Sequence, residues 1–278
     1  MASSIRFSVV VPSLNQGQFI EQALVSLLSQ GGSDYEVIVV DGGSTDGSIE
    51  IIRACQEKCS QVKAIIEPDK GQSDALNKGF KLAQGEYLTW LNSDDKMLSG
   101  TLDAVRKVIG CSAETPQWIT GNTVYIDAND KIIRFVRGNR WKHFLYQYGS
   151  VHVYGPTSFF TKELFQRVGG VDESLRYCMD WDLWIRFKLA NEKFVRVNRY
   201  LWAFRQHGAS KTQGGERDKV HLHWEEVHRM FEKNNVRGVL CGILVQRFWR
   251  LITGRYILAL KDTLRLGRQV IHQIDVNR

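Results

Sequence analysis

The first ninety residues alternate short apolar runs with segments of helical spacing, and this alternation restricts the fold more than any other feature. The apolar runs, rich in β-branched residues, occupy residues 7–11, 37–40, 62–66 and 87–91. Between them, apolar residues recur every three or four positions, as on one face of a helix. Strands that are apolar on both faces and alternate with helices predict a mostly parallel sheet, flanked by helices on each side.

Polar residues follow each of the four predicted strands. The positions are Asn15, Asp41, residues 71–73 and residues 92–95. Ligands of such sheets bind beyond the carboxyl ends of the strands, so these side chains are expected to converge on a binding site. Asp41 keeps two interpretations: an acceptor of hydrogen bonds from a base or ribose, and a turn residue ahead of two glycines.

The fourth predicted strand ends abruptly on Asn92, Ser93, Asp94 and Asp95. Neighbouring carboxylates repel each other unless a cation lies between them, and hard divalent cations such as Mg²⁺ and Mn²⁺ prefer oxygen ligands. This stretch therefore predicts a metal and diphosphate site, with a simple Asx-type turn as the alternative interpretation.

Composition and motif content argue against several classes of protein. With 278 residues and 43% hydrophobic content, the chain can bury a large core. No Gly-x-Gly-x-x-Gly follows the first strand and no Gly-Lys-Ser/Thr loop occurs, which argues against a dinucleotide dehydrogenase and a P-loop NTPase. Eight basic and two acidic residues lie from Val236 onward, so most of the net charge of +7 is in the tail. A nucleic-acid groove across the main domain is therefore not expected.

Cysteine usage and the N-terminal sequence bear on the cellular compartment. The five cysteines are odd in number and scattered, without the spacing of a disulfide framework or a zinc site, which fits a reducing cytoplasm. Arg6 is the only charged side chain ahead of the first apolar run, and Pro12 interrupts that run. We therefore expect this segment to be a strand rather than a signal peptide.

Four motifs accompany the predicted strands in order. They are Ser8-Val-Val-Val-Pro-Ser-Leu-Asn15, Glu36-Val-Ile-Val-Val-Asp-Gly-Gly-Ser-Thr-Asp-Gly47, Asp69-Lys-Gly-Gln-Ser-Asp-Ala-Leu-Asn77 and Trp90-Leu-Asn-Ser-Asp-Asp95. Their order and spacing over roughly residues 5–210 resemble the successive signatures of family 2 glycosyltransferases with the GT-A fold. The combination is highly specific although each motif alone is weak.

The resemblance implies that the first two loops hold a nucleotide base and ribose, and that an Asp-x-Asp motif holds Mn²⁺ or Mg²⁺ on the donor diphosphate. The implied nucleotide-sugar contacts are Pro12, Ser13, Asn15, Asp41, Gly71, Gln72, Asn77, Asn92, Ser93 and Lys211. The implied metal ligands are Asp94, Asp95 and His207, the last in a segment similar to the family's Arg-x-His-x-x-Ser loop. Since Asn92 stands where the family usually has Asp, Asp94 is the expected ligand and Asp95 the alternative.

Two carboxylates lie close together where a predicted helix begins, in Asp180-Trp-Asp-Leu-Trp184. The segment resembles the family element that supplies the general base, and the matching position is Asp180. The alternative is that Asp180 only caps the helix. Asp182 is expected to be structural, bonded to Arg186 one turn further on.

Two segments after the nucleotide-binding motifs carry weaker signals. Residues 118–125 and 131–136 are typical of strands in a hairpin around residues 127–130. An aromatic and basic stretch follows at residues 140–148. It could line an acceptor groove, or it could pack within an irregular subdomain, and the sequence leaves both interpretations open.

The tail from residue 236 to 271 is apolar but interrupted by arginines, and it contains no charge-free run near the ~20 residues that cross a bilayer. As a helix, it would place basic side chains opposite an apolar face. The basic stripe comprises Arg247, Arg250, Lys261, Arg265 and Arg268, and the apolar face Phe248, Ile252, Tyr256, Leu266 and Val270. Such a helix predicts contact with an anionic membrane. The alternative is that the helix packs on the body of the protein or in a dimer.

Together these features predict an α/β chain of GT-A type with a C-terminal helical, basic amphipathic extension. We expect a catalytic domain at 1–213, with a nucleotide-binding half at 1–97 and an acceptor half at 98–213, and the extension at 214–278. The resemblance implies a hexosyltransferase that moves a sugar from a nucleoside-diphosphate donor to an acceptor hydroxyl by metal-assisted inversion. It also implies a role in cell-surface polysaccharide or lipid-linked glycan assembly, and the basic tail adds the expectation of a cytoplasmic protein bound peripherally to the inner face of the membrane.

Two other functions stay open from the sequence. One is a non-catalytic module that binds a nucleotide or sugar, and the other is a nucleotidyltransferase of related fold. The second would need a glycine-rich, basic loop after the first strand, which residues 12–17 do not supply. The sequence also leaves open whether the chain forms a homo-oligomer and whether the tail binds a partner subunit.

Overall fold

The first half of the chain forms a parallel sheet with intervening helices, as its repeated pattern predicts. The strands are β1 (Phe7–Ser13), β2 (Tyr35–Asp41), β3 (Val62–Ile66) and β4 (Tyr87–Trp90), and the helices are α1 (Ile20–Leu28), α2 (Ser48–Lys58) and α3 (Gln72–Leu82). The strands lie in the order β3-β2-β1-β4, and each pairs with its neighbours in parallel. Every residue of β1, β2 and β4 is buried, because helices cover both faces of the sheet.

The structure is a computed structural model that describes residues 5–138, 153, 155–208, 210, 217–236, 251, 255–267 and 269–271. Its second half adds β5 (Lys96–Met97), α4 (Thr101–Cys111), β6 (Trp118–Ile126), β7 (Ile132–Val136), β8 (Ser158–Thr161), α5 (Lys162–Arg167), α6 (Met179–Leu189) and β9 (Val195–Arg205), with a 3₁₀ turn at Gly155–Thr157. The sheet continues from β4 as β8-β6-β9-β5, and β7 pairs with β6.

The second half of the sheet is mixed. Strand β8 is antiparallel to β4 and β6, β5 is antiparallel to β9, and β6 runs parallel to β9. The predicted α/β fold is confirmed, with its parallel part confined mainly to the first four strands. The predicted hairpin is also confirmed: β6 and β7 are antiparallel around a turn in which Asp127 accepts hydrogen bonds from the amides of Asn129 and Lys131.

An aromatic cluster fixes α6 against the sheet. Trp184 of α6 stacks on Trp90 of β4 and on Trp118 of β6, with ring centroids 5.6 and 5.3 Å apart. Phe160 of β8 and Phe187 of α6 complete the cluster, and all five side chains are buried. Each aromatic pair adds about 0.5–1.5 kcal/mol beyond the burial of its apolar area. This packing sets where the first turn of α6 lies relative to the end of β4.

Helix α7 (Arg217–Lys233) packs on the same core as α6. Val227, Met230 and Phe231 are buried in that core, and Phe231 lies edge-on to Trp181 with centroids 5.3 Å apart. The proposed division of the chain at residue 213 stays a prediction, but α7 shares one hydrophobic core with α6 and the sheet.

Helix α8 (Arg255–Leu266) lies against the β6–β7 hairpin. The Thr263 hydroxyl accepts a hydrogen bond from the Phe135 amide, Asp262 forms an ion pair with Arg137, and Leu266 packs on the hairpin core. Leu266 of the predicted apolar face is therefore covered by the body of the protein, whereas Arg247, Phe248, Arg250, Ile252 and Arg268 lie outside the described residues. Within the described parts of the chain, every helix is too short or too polar to cross a bilayer.

Candidate active site

A cavity of about 540 Å³ opens beyond the carboxyl ends of β1, β3 and β4. Its volume lies within the roughly 300–1,000 Å³ of typical small-molecule sites. Eight of the residues predicted for the site line it: Pro12, Ser13, Gly71, Gln72, Asn92, Ser93, Asp94 and Asp180. The loops that follow the strands and the start of α6 thus meet at the edge of the sheet where ligands of this fold class bind.

Three predicted nucleotide contacts are not among the residues that line the cavity. The carboxylate of Asp41 is buried and accepts hydrogen bonds from the amides of Gly43 and Ser44 and from the Ser44 hydroxyl. The side chain of Asn15 accepts one from the Thr45 amide. In this structure Asp41 therefore makes the contacts of the turn interpretation, while Asn15 joins the first loop to the second.

Asn77 is the third of these residues, and it lies on α3. Its side-chain amide donates to the Val171 carbonyl at 2.9 Å and accepts from the Val171 amide at 3.0 Å. These two hydrogen bonds hold the loop that precedes α6, and the Asn77 side chain does not line the cavity. Lys211 and the aromatic stretch at residues 140–148 lie outside the described residues.

The loop after β4 is held by a chain of side-chain hydrogen bonds. Gln72 donates to Asn92 Oδ1 at 2.8 Å, and Asn92 Nδ2 donates to Asp95 Oδ2 at 2.8 Å. An aspartate at position 92 would instead place another carboxylate against Asp95. Asn92 thus fits this loop because it can donate where a carboxylate would only repel.

Asp94 and Asp95 differ sharply in their surroundings. Asp95 is buried, and its Oδ1 accepts a hydrogen bond from the Arg205 amide at 2.8 Å. Burial is the main cause that raises the pKa of Asp95 well above the usual 3.8, and the negative charge of Asp94 raises it further. Asp94 lines the cavity. Both oxygens of Asp95 are engaged within the protein, so the arrangement favours Asp94 as the residue that meets a ligand.

Arg205 is a buried cation whose role no local sequence motif indicated. Its guanidinium donates to the carbonyl of Asp94 at 2.7 Å, forms an ion pair with Asp130 at 2.7 Å, and lies 4.7 Å above the ring of Phe19. A buried charge is costly unless it is paired and hydrogen-bonded, and these contacts meet that need. Arg205 thereby fixes the backbone of the residue that carries the candidate metal ligand.

The side chains of Asp94 and His207 meet beside the cavity. His207 Nε2 lies 3.1 Å from Asp94 Oδ2, and the His207 ring packs on Phe19 with centroids 4.6 Å apart. Neighbouring ligands at about 2.1 Å from an octahedral ion are about 3 Å apart, so these two donors fit adjacent positions on one cation. Within the described parts of the chain, no cluster of three or more His, Cys, Asp or Glu residues could hold a metal. A ligand would have to supply the remaining donor atoms.

Asp180 lies in the first turn of α6, where it faces the cavity. Burial raises the pKa of its carboxyl above 3.8, while hydrogen bonds from the amides of Trp181 and Gly155 oppose that rise. The N-cap residue of α6 is Cys178 and not Asp180, although the Asp180 carboxylate accepts from the Trp181 amide of the first turn. Asp182 is fully buried in an ion pair with Arg186 at 2.7 Å, as predicted.

Comparison with known proteins agrees with the fold and the motifs. Residues 8–167 match the family described as Glycosyl transferase family 2. A Mycobacterium tuberculosis protein, "PGL/p-HBAD biosynthesis glycosyltransferase", is 30% identical over 183 residues, which cover 65% of this chain and 68% of that protein. An "uncharacterized glycosyltransferase" of Nostoc sp. is 29% identical over 189 residues, 65% of this chain and 56% of its own length. This chain thus belongs to glycosyltransferase family 2, and it spans little more than half the length of that Nostoc relative.

Solved structures show the same fold. "Crystal structure of S. aureus TarS 1-349 in complex with UDP-GlcNAc" superposes with a TM-score of 0.59 at 19% identity, covering 82% of this chain and 73% of that chain. "Mannosyltransferase PcManGT from Pyrobaculum calidifontis in complex with GDP-Man and Mn2+" superposes with a TM-score of 0.62 at 18% identity, covering 96% and 77%. At these identities the likeness establishes the GT-A fold of the chain.

Proposed function

We propose that this protein transfers a hexosyl group from a nucleoside-diphosphate sugar to an acceptor hydroxyl with inversion of the anomeric centre. One observation carries the proposal: a single cavity is lined both by Asn92, Ser93 and Asp94 and by Asp180. Inverting transfer needs a leaving-group site and a base on opposite sides of the reacting carbon. The donors named for TarS and PcManGT are nucleotide sugars of this class.

Different residues that line the cavity would have different roles in this reaction. Gln72 and Asn92 would bind the ribose and diphosphate, and the loop of Pro12 and Ser13 would bind the nucleoside. The Asp180 carboxylate takes the proton from the acceptor hydroxyl as its oxygen attacks the anomeric carbon. The raised pKa of Asp180 suits it to this step, since a more basic carboxylate accepts a proton more readily.

Asp94 and His207 would hold a divalent cation together with the donor diphosphate. When bound, this cation supplies positive charge that stabilises the departing nucleoside diphosphate. Among the described residues, two candidate protein ligands lie together there, fewer than a divalent cation needs, so we expect the metal and donor to bind cooperatively. Mn²⁺ is the metal in the PcManGT complex.

A donor screen tests the proposed function. The full chain is incubated with Mn²⁺ and a panel of UDP-, GDP- and TDP-sugars, and thermal shift and slow donor hydrolysis are recorded. We expect one nucleotide class to raise the melting temperature only when Mn²⁺ is present, because ligands that bind the native state stabilise it. Donor binding without turnover toward water or any glycan acceptor would favour the binding-module alternative. Nucleotide exchange with pyrophosphate would favour a nucleotidyltransferase.

We also propose that α8 places the protein on an anionic membrane, where a lipid-linked or cell-surface glycan acceptor would be found. The outward face of α8 carries Ile257, Leu260 and Leu264, which are 57–77% exposed, next to the exposed cations Lys261 and Arg265. Apolar side chains beside basic ones match the acyl boundary and the anionic headgroups of a bilayer. The face opposite these residues is the one that packs on the hairpin.

Flotation with vesicles that contain phosphatidylglycerol tests this surface. We expect the full chain to float with these vesicles, less well as salt increases, and not with pure phosphatidylcholine. Leu264→Glu should abolish flotation, because it puts a charge among the exposed leucines. Val25→Glu is the matched control, since Val25 is 59% exposed on α1, distant in sequence from α8. Equal flotation of Leu264→Glu and wild type would refute the membrane surface.

A further inference from the structure

A carboxylate of α7 is bonded to the loop that leads into α6. Glu226 is only 6% exposed, and its two oxygens accept hydrogen bonds from successive backbone amides, of Arg176 at 2.9 Å and Tyr177 at 2.7 Å. The thiol of Cys178 donates to the same carboxylate at 3.7 Å. One side chain therefore engages three consecutive residues of the loop.

This loop forms the wall of the cavity beside Asp180. Leu175, Arg176 and Tyr177 line the cavity, as do Met179 and Asp180 themselves. The loop also contacts the donor side, because the Ser73 hydroxyl at the start of α3 donates to the Leu175 carbonyl at 2.7 Å. A shift of the loop would therefore move the proposed base relative to the donor.

Two other contacts join α7 and its C-terminal end to the same region. The His223 ring lies perpendicular to the Tyr177 ring, with centroids 6.1 Å apart. Asn234, just after α7, donates to Asp182 Oδ1 at 2.9 Å. The helix thus contacts the loop, the ring of a cavity residue and the helix that carries Asp180.

The chemistry of Glu226 points beyond simple packing. Burying a carboxylate costs free energy unless it is well hydrogen-bonded, and an apolar residue would anchor α7 to the core without that cost. A charged acceptor for two adjacent amides instead fixes the path of the backbone, because such bonds are short and strong. The neighbouring Val227 already supplies the apolar anchor at this level of α7.

Building on the proposed transfer reaction, we propose that Glu226 is a positioning residue for catalysis. It holds residues 176–178 so that Arg176 and Tyr177 form the acceptor side of the cavity and Asp180 keeps its place next to the reacting carbon. Glu226 itself does not line the cavity and acts through the loop. Catalysis in this protein then depends on a helix that follows the region matched by the family, which ends at residue 167.

Glu226→Gln and Glu225→Gln are the test pair. Glutamine keeps the length of the side chain but can accept only one of the two amide hydrogen bonds of Glu226. Glu225 is the matched control, because it is adjacent on the same helix and is exposed in a pair with His221. The probes are Mn²⁺ and the UDP-, GDP- or TDP-sugar that stabilises the wild type. The measured rates are those of donor hydrolysis and of sugar transfer to nitrophenyl glycosides.

We expect Glu226→Gln to lower kcat about 10- to 100-fold, because small displacements of reacting groups cost that much, while the donor KM and the Mn²⁺-dependent thermal shift stay at wild-type values. Glu225→Gln should match the wild type in every measurement. Glu226→Ala, which removes both acceptors, should lower kcat further than Gln.

Three results would count against these proposals, and they can be told apart. Equal kcat for the Glu226→Gln and Glu225→Gln variants of an active wild type overturns the positioning role alone. A Glu226→Gln variant that loses donor affinity in parallel with kcat, or does not fold while Glu225→Gln does, shows a general structural role instead. A wild type that neither binds nor turns over any donor removes the proposed function itself, and this inference with it.

Discussion

Replacing Asp180 with asparagine should nearly abolish transfer while leaving donor binding intact. A hydroxyl is a poor nucleophile at neutral pH, and a positioned base contributes ~10²–10⁴-fold, so kcat should fall by about that factor. Asparagine has the same size as aspartate and still accepts from the Trp181 amide, so the fold should tolerate it. The melting temperature should therefore be at least that of the wild type, since the neutral amide avoids the cost of a buried charge, and its rise with Mn²⁺ and donor should match the wild type.

The pH dependence of the wild-type rate gives a second measurement on Asp180. Transfer requires the ionised carboxylate, so the rate should fall as pH decreases through the pKa of Asp180. Because burial raises that pKa above 3.8, the loss should begin at a higher pH than for an exposed aspartate. Asp180→Asn should remove this limb from whatever residual activity remains.

Asp182→Asn separates this role from the structural one of its neighbour. Asp182 is fully buried and contacts Arg186 and Asn234, so the substitution leaves the partly buried guanidinium of Arg186 without its counter-charge. We expect the free energy of unfolding to fall by the few kcal/mol typical of breaking a buried ion pair, and the melting temperature to fall with it. If Asp180→Asn retains transfer within a few-fold of wild type, the base lies elsewhere and Asp182 is the next acid to test.

Asp94→Asn should act on donor binding rather than on proton transfer. Groups that merely orient metal ligands contribute ~10–100-fold to metal affinity, and a direct ligand should contribute at least as much. We therefore expect the Mn²⁺ concentration needed for donor binding to rise by about that factor or more. Treatment of the wild type with a chelator should likewise suppress transfer, and added Mn²⁺ should restore it.

Asp95→Asn decides between the two candidate ligands. Asp95 is buried, and its carboxylate accepts from Arg205 and Asn92, so asparagine there would put two amide donors face to face. We expect reduced thermal stability with little change in the Mn²⁺ requirement. Full activity of Asp94→Asn, or undiminished transfer in chelator-treated protein, would remove the metal from the mechanism. A larger Mn²⁺ effect in Asp95→Asn than in Asp94→Asn would reverse the assignment.

Local patterns in the sequence were sufficient for the parallel half of the sheet and for the hairpin, but not for the mixed pairing of the second half. The apolar runs at residues 7–11 and 37–40 become fully buried parallel strands, and the hairpin around residues 127–130 forms as predicted. Both patterns depend on side chains a few positions apart, which the sequence displays directly. The same holds for the site as a whole, since the ends of parallel strands must lie at one edge of a sheet.

The sequence by itself determined the fold class, the family and the edge of the sheet that carries the site. The tertiary structure decided which carboxylate faces the cavity, because Asp95 is turned inward by the amide of Arg205, 110 residues away. It likewise directed Asn77 to Val171 and placed Glu226 behind the Asp180 loop. The direction of a side chain depends on partners that folding brings close from distant parts of the chain, and a local pattern of residues does not contain those partners.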